Sequence, residues 1–484
     1  MWRVFCYARG MSKTFFFYDL ETSGLSARDA RIMQFAGIRT DLNLKPIGDP
    51  VNILVKLNDD TLPSPEALMV TGITPQQTVA DGITEAELSK ILIDGVFTPD
   101  TIAVGFNNIR FDDEFIRHLF WRNFHDPYEW SWSEGRSRWD LLDVVRMTRA
   151  LRPDGIKWPV VDGKEVNRLE LIASENNIAH AKAHDALSDV EALIAVTKLI
   201  RDKQPQLYEY LFKIRDKNEV KKLVNLDDKQ PFVYVSGRYA PEFHKASVAF
   251  PLTSGANNNV VVYDLRHDPS DLIDLSQKEL QKRMYATWEE RQADDYVYVP
   301  VKELQYNRAP AVAPLGVLEQ EDGWAKIGLD LATVEKHKSI LLAAPHFAEN
   351  IRSVFESKPE FKRSSDPESQ LYDGFVGDRD KLRIETVRNA DGKQLADFHP
   401  DFSDERLAPL LLHYKARNFP KTLSHEEMLL WETWRAERIH SAMPGFVQSL
   451  QKIAGSETDE NKLFILQELQ LWAESIVPSD LDNN

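Results

Sequence analysis

Apolar and polar residues follow two different patterns along the chain, and the first covers about residues 14–202. Short apolar runs, such as FFFYDL from Phe15 and TIAVGFN from Thr101, have the length and the aromatic or β-branched content of strands. They alternate with segments such as FDDEFIRHLFWRNF from Phe111, whose apolar residues recur at helical spacing. Strands interleaved with helices indicate an α/β domain. The same patterns predict strands in RIMQFAGIRTD and PVNILVKL, and helices in SPEALMVTGIT, DLLDVVRMTRAL and SDVEALIAVTKLIRD.

The second pattern begins after about Lys203. Short β-branched and aromatic runs, separated by Gly, Pro, Asn and Asp, predict a small β-barrel or sandwich. These runs are PFVYVSG, SVAFPLT, NNVVVYDL and YVYVPVKEL. From about Lys358 the chain shows amphipathic helical spacing, in the segments APLLLHYKARNF, HEEMLLWETWRAERI and NKLFILQELQLWAESI. Three parts agree with the number of domains expected for 484 residues.

Composition narrows the class of protein. The chain has 43% hydrophobic residues and no apolar run of membrane-spanning length, so we expect a soluble protein without a membrane partner. Cys6 is the only cysteine, which excludes an intramolecular disulfide or a cysteine-based zinc site and fits a reducing cytoplasm. The opening MWRVFCYARG lacks signal-peptide features, and Met11 is an alternative start. A net charge of −17 argues against nonspecific nucleic-acid binding but leaves room for a local basic groove.

Two carboxylates follow directly on the first strand. Asp19 and Glu21 are two residues apart, so in a strand their side chains project from the same face. Such a pair repels, and one member should have a raised pKa unless a cation lies between them. Two interpretations remain open at this point: a turn that begins at Asp19, or half of a divalent-metal site.

Two later segments supply more carboxylates. Asp112 and Asp113 lie where an apolar strand gives way to a helix, a position where aspartate often caps the helix. In KAHDALSDVEALIAV, His184 precedes Asp189 by five residues, and Asp189 lies close to the face that the helix would bury. A buried carboxylate needs a partner, whereas a lone histidine is more often an ordinary surface residue.

Taken together, D-x-E on a strand, F-D after an N-N element and H-x-A-x-x-D on a later helix resemble the DEDDh exonucleases of the RNase H-like superfamily. In that family four carboxylates hold two Mg²⁺ or Mn²⁺ ions at the scissile phosphate, and a histidine is the general base. The resemblance implies a mixed sheet, the ligands Asp19, Glu21, Asp112 and Asp189, and His184 as base. Asp113 is the less favoured of its pair, because the family motif places the ligand directly after the phenylalanine.

The runs GFNNIRFDDE, SWSEGRSRWDLLDVVR, LRPDGIKWP and YKARNFP are similar to bacterial exonuclease I. The resemblance implies processive 3′→5′ degradation of single-stranded DNA to 5′-mononucleotides, in DNA repair and recombination. It also implies stimulation by the single-stranded DNA-binding protein, and the enzyme is expected to be a monomer. The implied parts are an N-terminal extension (1–13), a DEDDh exonuclease domain (14–202), an SH3-like β domain (203–357) and an all-α C-terminal domain (358–484).

Aromatic residues interleaved with arginines predict where single-stranded DNA binds, because bases stack on flat rings and arginines contact phosphates. The cluster comprises Tyr128, Trp130, Trp132 and Trp139 among Arg117, Arg122, Arg136, Arg138 and Arg146. Some of these tryptophans are expected in the core, and the favoured contacts are Asn107, Arg117, Tyr128, Trp132 and Arg146. The family resemblance adds Glu21, Arg168 and the loop Thr71–Thr74 near the 3′-terminal nucleotide, where Gly72 permits close backbone approach.

Three other functions are compatible with parts of this pattern. A proofreading or RNA-trimming exonuclease would use the same five active-site residues, but such enzymes consist of little more than the nuclease domain. A catalytically inactive single-strand-binding protein is disfavoured because all five residues are present. The middle and C-terminal parts could also serve mainly to bind a protein partner, for which the sequence indicates no pocket.

Overall fold

The structure of the chain is a computed structural model, and it describes residues 13–179, 185–294, 296–357 and 363–478. The strands are β1 (Thr14–Thr22), β2 (Ile32–Thr40), β3 (Val51–Leu54), β4 (Thr101–Gly105), β5 (Ser137–Asp140), β6 (Val160–Val161), β7 (Lys164–Glu165), β8 (Phe232–Val235), β9 (Ala246–Ser254), β10 (Val260–Asp264), β11 (Val301–Leu304) and β12 (Val312–Pro314).

Helices connect and follow these strands. They are α1 (Pro65–Thr71), α2 (Pro75–Asp81), α3 (Glu85–Ile91), α4 (Asp112–Arg122), α5 (Leu141–Leu151), α6 (Leu169–Glu175), α7 (Ala186–Lys203), α8 (Pro205–Ile214), α9 (Lys217–Leu223), α10 (Gln277–Met284), α11 (Gly323–Lys326), α12 (Leu331–Ala343), α13 (Pro345–Glu356), α14 (Asp378–Asn389), α15 (Gly392–Ala396), α16 (Leu407–Asn418), α17 (His425–Ala454) and α18 (Glu460–Ile476). Among the described residues, none of these helices combines the length and apolarity needed to cross a membrane.

The chain forms two compact units, each built from separate stretches of sequence. The first contains the described residues within 1–137, 180–194 and 362–484, and the second contains those within 138–179 and 195–361. Because the units are defined by mutual contacts rather than by continuous chain, the domain bounds inferred from the sequence remain a prediction.

Strand β1 is the centre of the sheet in the first unit, where the order is β3-β2-β1-β4. It pairs antiparallel with β2 and parallel with β4, so the sheet is mixed, as predicted. Phe16, Tyr18 and Leu20 on one face of β1 enter a core with α4 residues such as Phe115 and Leu119. The strand therefore extends through both carboxylates instead of ending before them.

The second unit contains an antiparallel sheet of order β11-β10-β9-β8-β12. The predicted strand YVYVPVKEL is shorter than expected, since β11 begins only at Val301, directly after Pro300, which has no amide hydrogen to give to a strand ladder. The helices α6 and α8–α13 of this unit were not predicted. Most of them, such as α8, α9 and α10 with 10, 7 and 8 residues, make only about two to three turns, too few for a distinctive apolar period. The longer helices α12 and α13, with 13 and 12 residues, lie in the span that was predicted as β-rich only.

Buried charges join the sheet of the first unit to its C-terminal helices. The Arg31 guanidinium donates to the Glu368 carboxylate (Nη2 to Oε2, 2.7 Å), and Arg417 donates to both Glu368 and Asp60. Burial alone would raise the pKa of Glu368, but the charges of Arg417 and Arg31 outweigh it and hold that pKa well below its usual value. Each of these buried charges has a partner of opposite sign. The helices after residue 363 therefore belong to the same folded unit as β1.

A chain that ends at Ser357 should therefore be unstable, because Arg31 would lose the Glu368 carboxylate, and Met33 and Leu68 would lose the apolar residues of α17 and α18 that pack against them. Removing one partner of a buried pair costs about 3–5 kcal/mol, a large part of a typical folding free energy. We expect a lower midpoint in thermal unfolding followed by circular dichroism, and restoration when residues 363–484 are supplied as a separate polypeptide. A truncated chain that melts within a few degrees of the intact one would contradict this account.

Candidate active site

Asp19 and Glu21 lie on one face of β1, on the side of the strand opposite Phe16, Tyr18 and Leu20. The register with β2 pairs Asp19 with Ala36 and Glu21 with Gln34, and it shifts between Glu21 and Thr22. The two carboxylates are thus held by regular strand geometry, directly before a local irregularity. The turn interpretation of Asp19 is wrong, because the strand continues to Thr22.

Helix α7 brings a third carboxylate to this pair. The helix begins at Ala186, and the Asp185 carboxylate caps it by accepting a hydrogen bond from the Ser188 amide at 3.2 Å. Asp189, in the first turn, joins Asp19 and Glu21 in a group whose ligand oxygens all lie within 4.8 Å of one another. His184 lies outside the described residues.

Helix α4 brings Asp112, its first residue, to the same edge of the sheet. Since β1 and β4 are parallel, their carboxyl ends meet there, and the chain after β4 leads directly into α4. Asp112 is buried and close enough for its charge to raise the pKa of Asp19. Gly105 allows the tight connection, because a Cβ there would lie 2.5 Å from the Cβ of Asn108.

The neighbouring Asp113 has a different environment. Its Oδ1 accepts hydrogen bonds from the Tyr18 hydroxyl and from Asn108 Nδ2, the latter at 3.2 Å, and all three residues are buried. Asp113 thus holds α4 against β1 in the core. This contact supports Asp112, rather than Asp113, as the candidate metal ligand.

The electrostatics of the cluster favour protonation or a bound cation. Burial, then the charges of Asp112 and Asp189, raise the pKa of Asp19 well above its ordinary value. Burial, then the charges of Asp19, Asp189 and Asp185, raise the pKa of Glu21 to about 9. Carboxylate oxygens at such short separation are the ligands that hard divalent cations such as Mg²⁺ and Mn²⁺ take, so the donor set fits a metal centre.

Several predicted nucleic-acid contacts belong to the first unit. Arg117 donates to Glu114 at 2.8 Å and to the Tyr372 hydroxyl at 3.3 Å, and its guanidinium lies 5.7 Å from the Tyr128 ring centre. Trp132 is 65% exposed, so its ring face is available for stacking. Sequence reasoning missed Tyr372, which is 255 residues from Arg117 and carries no local signal.

Other predicted positions have a mainly structural environment. Trp130 and Trp139 are buried core residues, and Arg122 is buried in an ion pair with Glu85 at 2.6 Å. Their apolar or paired surroundings remove them from the predicted stacking surface. Asn107 has a left-handed backbone conformation (φ 67°), which asparagine tolerates well.

The loop after α1 has the conformation that its glycine favours. Gly72 has φ 71° and caps α1 by donating its amide to the Leu68 carbonyl, while Thr74 caps α2. Apart from the glycine and its two chain neighbours, no atom of the described residues lies within 4 Å of a Cβ placed at Gly72, so backbone conformation, rather than space, favours glycine here.

The second unit contains the remaining two predicted contacts. Arg146 forms an ion pair with Asp143 at 2.7 Å, and a Cβ at Gly237 would lie 3.0 Å from its guanidinium. Arg168, directly before α6, is 58% exposed, with Glu170 at 3.4 Å. Both are cations of the second unit, and their contact with DNA remains a prediction.

Family models match most of the chain in succession. They are Exonuclease over residues 16–197, Exonuclease I SH3-like domain over 215–357 and Exonuclease I C-terminal domain over 365–476. The mixed sheet and its carboxylate cluster therefore define a metal-dependent exonuclease.

Within that class the chain belongs to the exonuclease I family. Exodeoxyribonuclease I of Haemophilus influenzae is 38% identical over 460 residues, which cover 94% of this chain and 97% of the relative. Escherichia coli exonuclease I in complex with a dA16 oligonucleotide has a TM-score of 0.92 and 37% identity, covering 96% of this chain and 100% of that one. The zinc-bound form of the E. coli enzyme with single-stranded DNA has a TM-score of 0.92 and 36% identity, and the match covers 97% of this chain and 100% of that one. The predicted family and fold class are confirmed.

Metal binding should stabilise the protein more strongly as the pH rises. The raised pKa values of Asp19 and Glu21 mean that protonation favours the metal-free fold below an unfolded pKa of about 4. That stabilisation is lost as the pH rises through the folded value, about 9 for Glu21. Because only ionised carboxylates bind metal, we expect the difference in melting temperature between Mg²⁺ and EDTA to increase from about pH 6 to about pH 9.

Differential scanning fluorimetry at constant ionic strength would measure this difference. Potassium chloride of matched ionic strength is the control, because screening alone should act equally at each pH. A Mg²⁺ effect that is absent, or that has the same size at every pH, would show that these carboxylates do not bind the ion.

Proposed function

We propose that this chain is a processive 3′→5′ exonuclease that hydrolyses single-stranded DNA to 5′-mononucleotides and acts in DNA repair and recombination. The observation that carries the proposal is the group formed by Asp19, Glu21 and Asp189, with Asp112 beside it. Membership of the exonuclease I family supports the substrate and the polarity, and relatives have been solved with single-stranded DNA.

The candidate metal ligands are Asp19, Glu21, Asp112 and Asp189, and we propose that they hold two Mg²⁺ ions, which Mn²⁺ can replace. Bound ions of this kind neutralise phosphate charge and make water a better nucleophile. The carboxylates themselves fix where the scissile phosphate can lie, since they project from β1, α4 and α7 toward one place. Glu21 would also touch the terminal nucleotide.

His184 is the proposed general base. In the sequence it precedes the Asp185 cap of α7 by one residue and the proposed ligand Asp189 by five. A neutral imidazole there can accept a proton from water, because the ordinary pKa of histidine is close to neutrality.

Single-strand binding is proposed to use the exposed face of Trp132, the ring of Tyr128 and the cations Arg117, Arg146 and Arg168. Stacking on rings and contact with phosphates need no particular base, so the grip would not depend on sequence. Asn107 is proposed as a further contact. Local groups of aromatic and basic residues can bind DNA in spite of the net charge of −17.

The remaining features of the proposal concern the cell. A monomeric enzyme in the cytoplasm, stimulated by the single-stranded DNA-binding protein, would agree with the family resemblance. An RNA-trimming or proofreading exonuclease is the alternative activity. The extent of the match to relatives favours exonuclease I, because it includes the SH3-like and C-terminal parts of the chain as well as the nuclease part.

Cleavage of 5′-labelled single-stranded DNA tests the proposal directly. A 3′→5′ enzyme shortens the labelled strand progressively and stops when EDTA removes the ions, whereas a 5′→3′ enzyme releases a labelled mononucleotide first. Asp19→Ala and Asp189→Ala should each retain less than about a tenth of the turnover, with binding to DNA largely intact. Labelled RNA and duplex DNA, run in parallel, separate the alternative substrates.

Asp113→Asn is the matched control, because an amide oxygen can still accept the bonds from Tyr18 and Asn108. It should keep most of the activity. Full turnover in a folded Asp19→Ala or Asp189→Ala protein, or the loss of turnover only in Asp113→Asn, would refute the ligand assignment.

His184→Ala should lower the cleavage rate by roughly 10²–10⁴-fold, the usual contribution of a general base, while Mn²⁺ still binds. In the unmodified protein the rate should increase as the histidine loses its proton, because only the neutral ring can accept one. Single-turnover rates across the pH range measure both effects. A nearly unchanged rate for the alanine variant would leave His184 without a catalytic role.

A further inference from the structure

We infer that a short segment of the C-terminal part, Asp366–Gln370, is a positioning element for the carboxylate cluster, with Glu368 as its central residue. The inference rests on the proposed function, since it concerns the geometry of the metal ligands. It gives the C-terminal part a role in catalysis that is separate from enclosing DNA or binding a partner protein. All the contacts involved lie within the first unit.

The first connection runs from Glu368 to the end of β1. Arg31 Nη2 donates to Glu368 at 2.7 Å, and both side chains are buried. The backbone of Arg31 then pairs with Ser23: the Arg31 amide donates to Ser23 Oγ at 2.8 Å, and the Ser23 amide donates to the Arg31 carbonyl at 2.9 Å. Ser23 is two residues after Glu21, so this pair fixes the chain where the β1 register shifts.

A second connection reaches α4, the helix that begins with Asp112. Trp121, in the last turn of this helix, donates from its indole Nε1 to the Pro367 carbonyl at 2.9 Å. The guanidinium of Arg406, a residue of the C-terminal part, lies over the Trp121 ring, 4.9 Å from its centre. One short turn, Pro367–Ser369, therefore contacts α4, which carries Asp112, and Arg31, which is bonded to Ser23 directly after β1.

A third connection holds the loop between β1 and β2. Arg438 of α17 pairs with Asp366 at 3.2 Å and donates to the Asp29 carbonyl at 2.8 Å. The Asp366 carboxylate in turn accepts from the Glu368 amide at 3.1 Å, which fixes the turn itself. Bonds to Arg31, to Trp121 and to Arg438 thus hold the segment in place.

The need for such an element follows from the charges that it supports. Ionised carboxylates within 4.8 Å of one another repel, so the chain that carries the metal ligands must be held in place when they bind a cation. Residues that orient metal ligands through a second set of contacts typically change metal affinity or activity 10–100-fold when mutated. A neutral side chain at position 368 would leave the buried Arg31 charge with less compensation and free the chain beside Glu21 to shift.

The test compares Glu368→Gln with Asp380→Asn. Glutamine keeps the size of glutamate and its ability to accept a hydrogen bond, but it removes the charge. Asp380 is an equally buried carboxylate of the first unit that pairs with Arg383 at 3.3 Å and accepts from the Ser403 and Asp404 amides. None of these three partners belongs to the turn Pro367–Ser369. Mn²⁺ binding is measured by electron paramagnetic resonance, without DNA, and kcat and KM are measured on single-stranded DNA.

We expect Glu368→Gln to weaken Mn²⁺ binding and lower kcat by roughly 10–100-fold, with KM for DNA little changed and with activity partly restored by excess metal. Asp380→Asn should lose thermal stability but keep its Mn²⁺ affinity. If Glu368→Gln fails to fold, Trp121→Phe decides, because it removes the indole N–H that donates to Pro367 and keeps an aromatic ring in the core; weaker Mn²⁺ binding supports the inference.

Folded Glu368→Gln with unchanged Mn²⁺ affinity and kcat would overturn the inference, as would unchanged affinity in Trp121→Phe when the first variant does not fold. Equal weakening in Asp380→Asn would also overturn it, because general destabilisation would then explain the effect. Failure of the unmodified protein to bind Mn²⁺ or cleave DNA would instead refute the proposed function, so the two failures are distinguishable.

Discussion

Mutual repulsion among carboxylates is the constraint on which the arrangement of the first unit depends. Two unit charges about 4 Å apart interact by about 4 kcal/mol at an effective dielectric constant near 20. A typical domain is stable by only about 5–15 kcal/mol. The elements that carry Asp19, Glu21 and Asp189 must therefore be held firmly, because their ligand atoms lie within 4.8 Å of one another.

The two faces of β1 have different roles, so the strand can carry the repelling carboxylates and still contribute to the hydrophobic core. Phe16, Tyr18 and Leu20 enter the hydrophobic core on one face, while Asp19 and Glu21 project from the other. A central strand with partners on both sides cannot slip by one residue without moving its apolar set out of the core. The register that buries Phe16, Tyr18 and Leu20 is thus the register that directs the two carboxylates to a common place.

A buried ion pair connects the C-terminal part to the chain that carries these carboxylates. Arg31 is buried beside the loop that follows Glu21, and its closest carboxylate partner, Glu368, is 337 residues away in sequence. Trp121 connects α4 to the same turn through Pro367. The C-terminal part therefore completes the unit that contains the carboxylates, which offers a physical reason for a chain much longer than a nuclease domain.

Local spacing in the sequence predicted the first strand and the helix that begins near Asp112, because strand and helix periodicity are short-range effects. It left open whether the strand continues through Asp19, which the pairing of β1 with β2 decided. The choice between Asp112 and Asp113 received its structural support only from the contacts of Asp113 with Tyr18 and Asn108. Burial of Trp130, Trp139 and Arg122 was likewise decided by packing, which gives similar sequence segments different exposure. The bond between Arg31 and Glu368 had no signal in the sequence at all, since a buried ion pair depends on two distant segments meeting in space and not on the spacing of residues along either one.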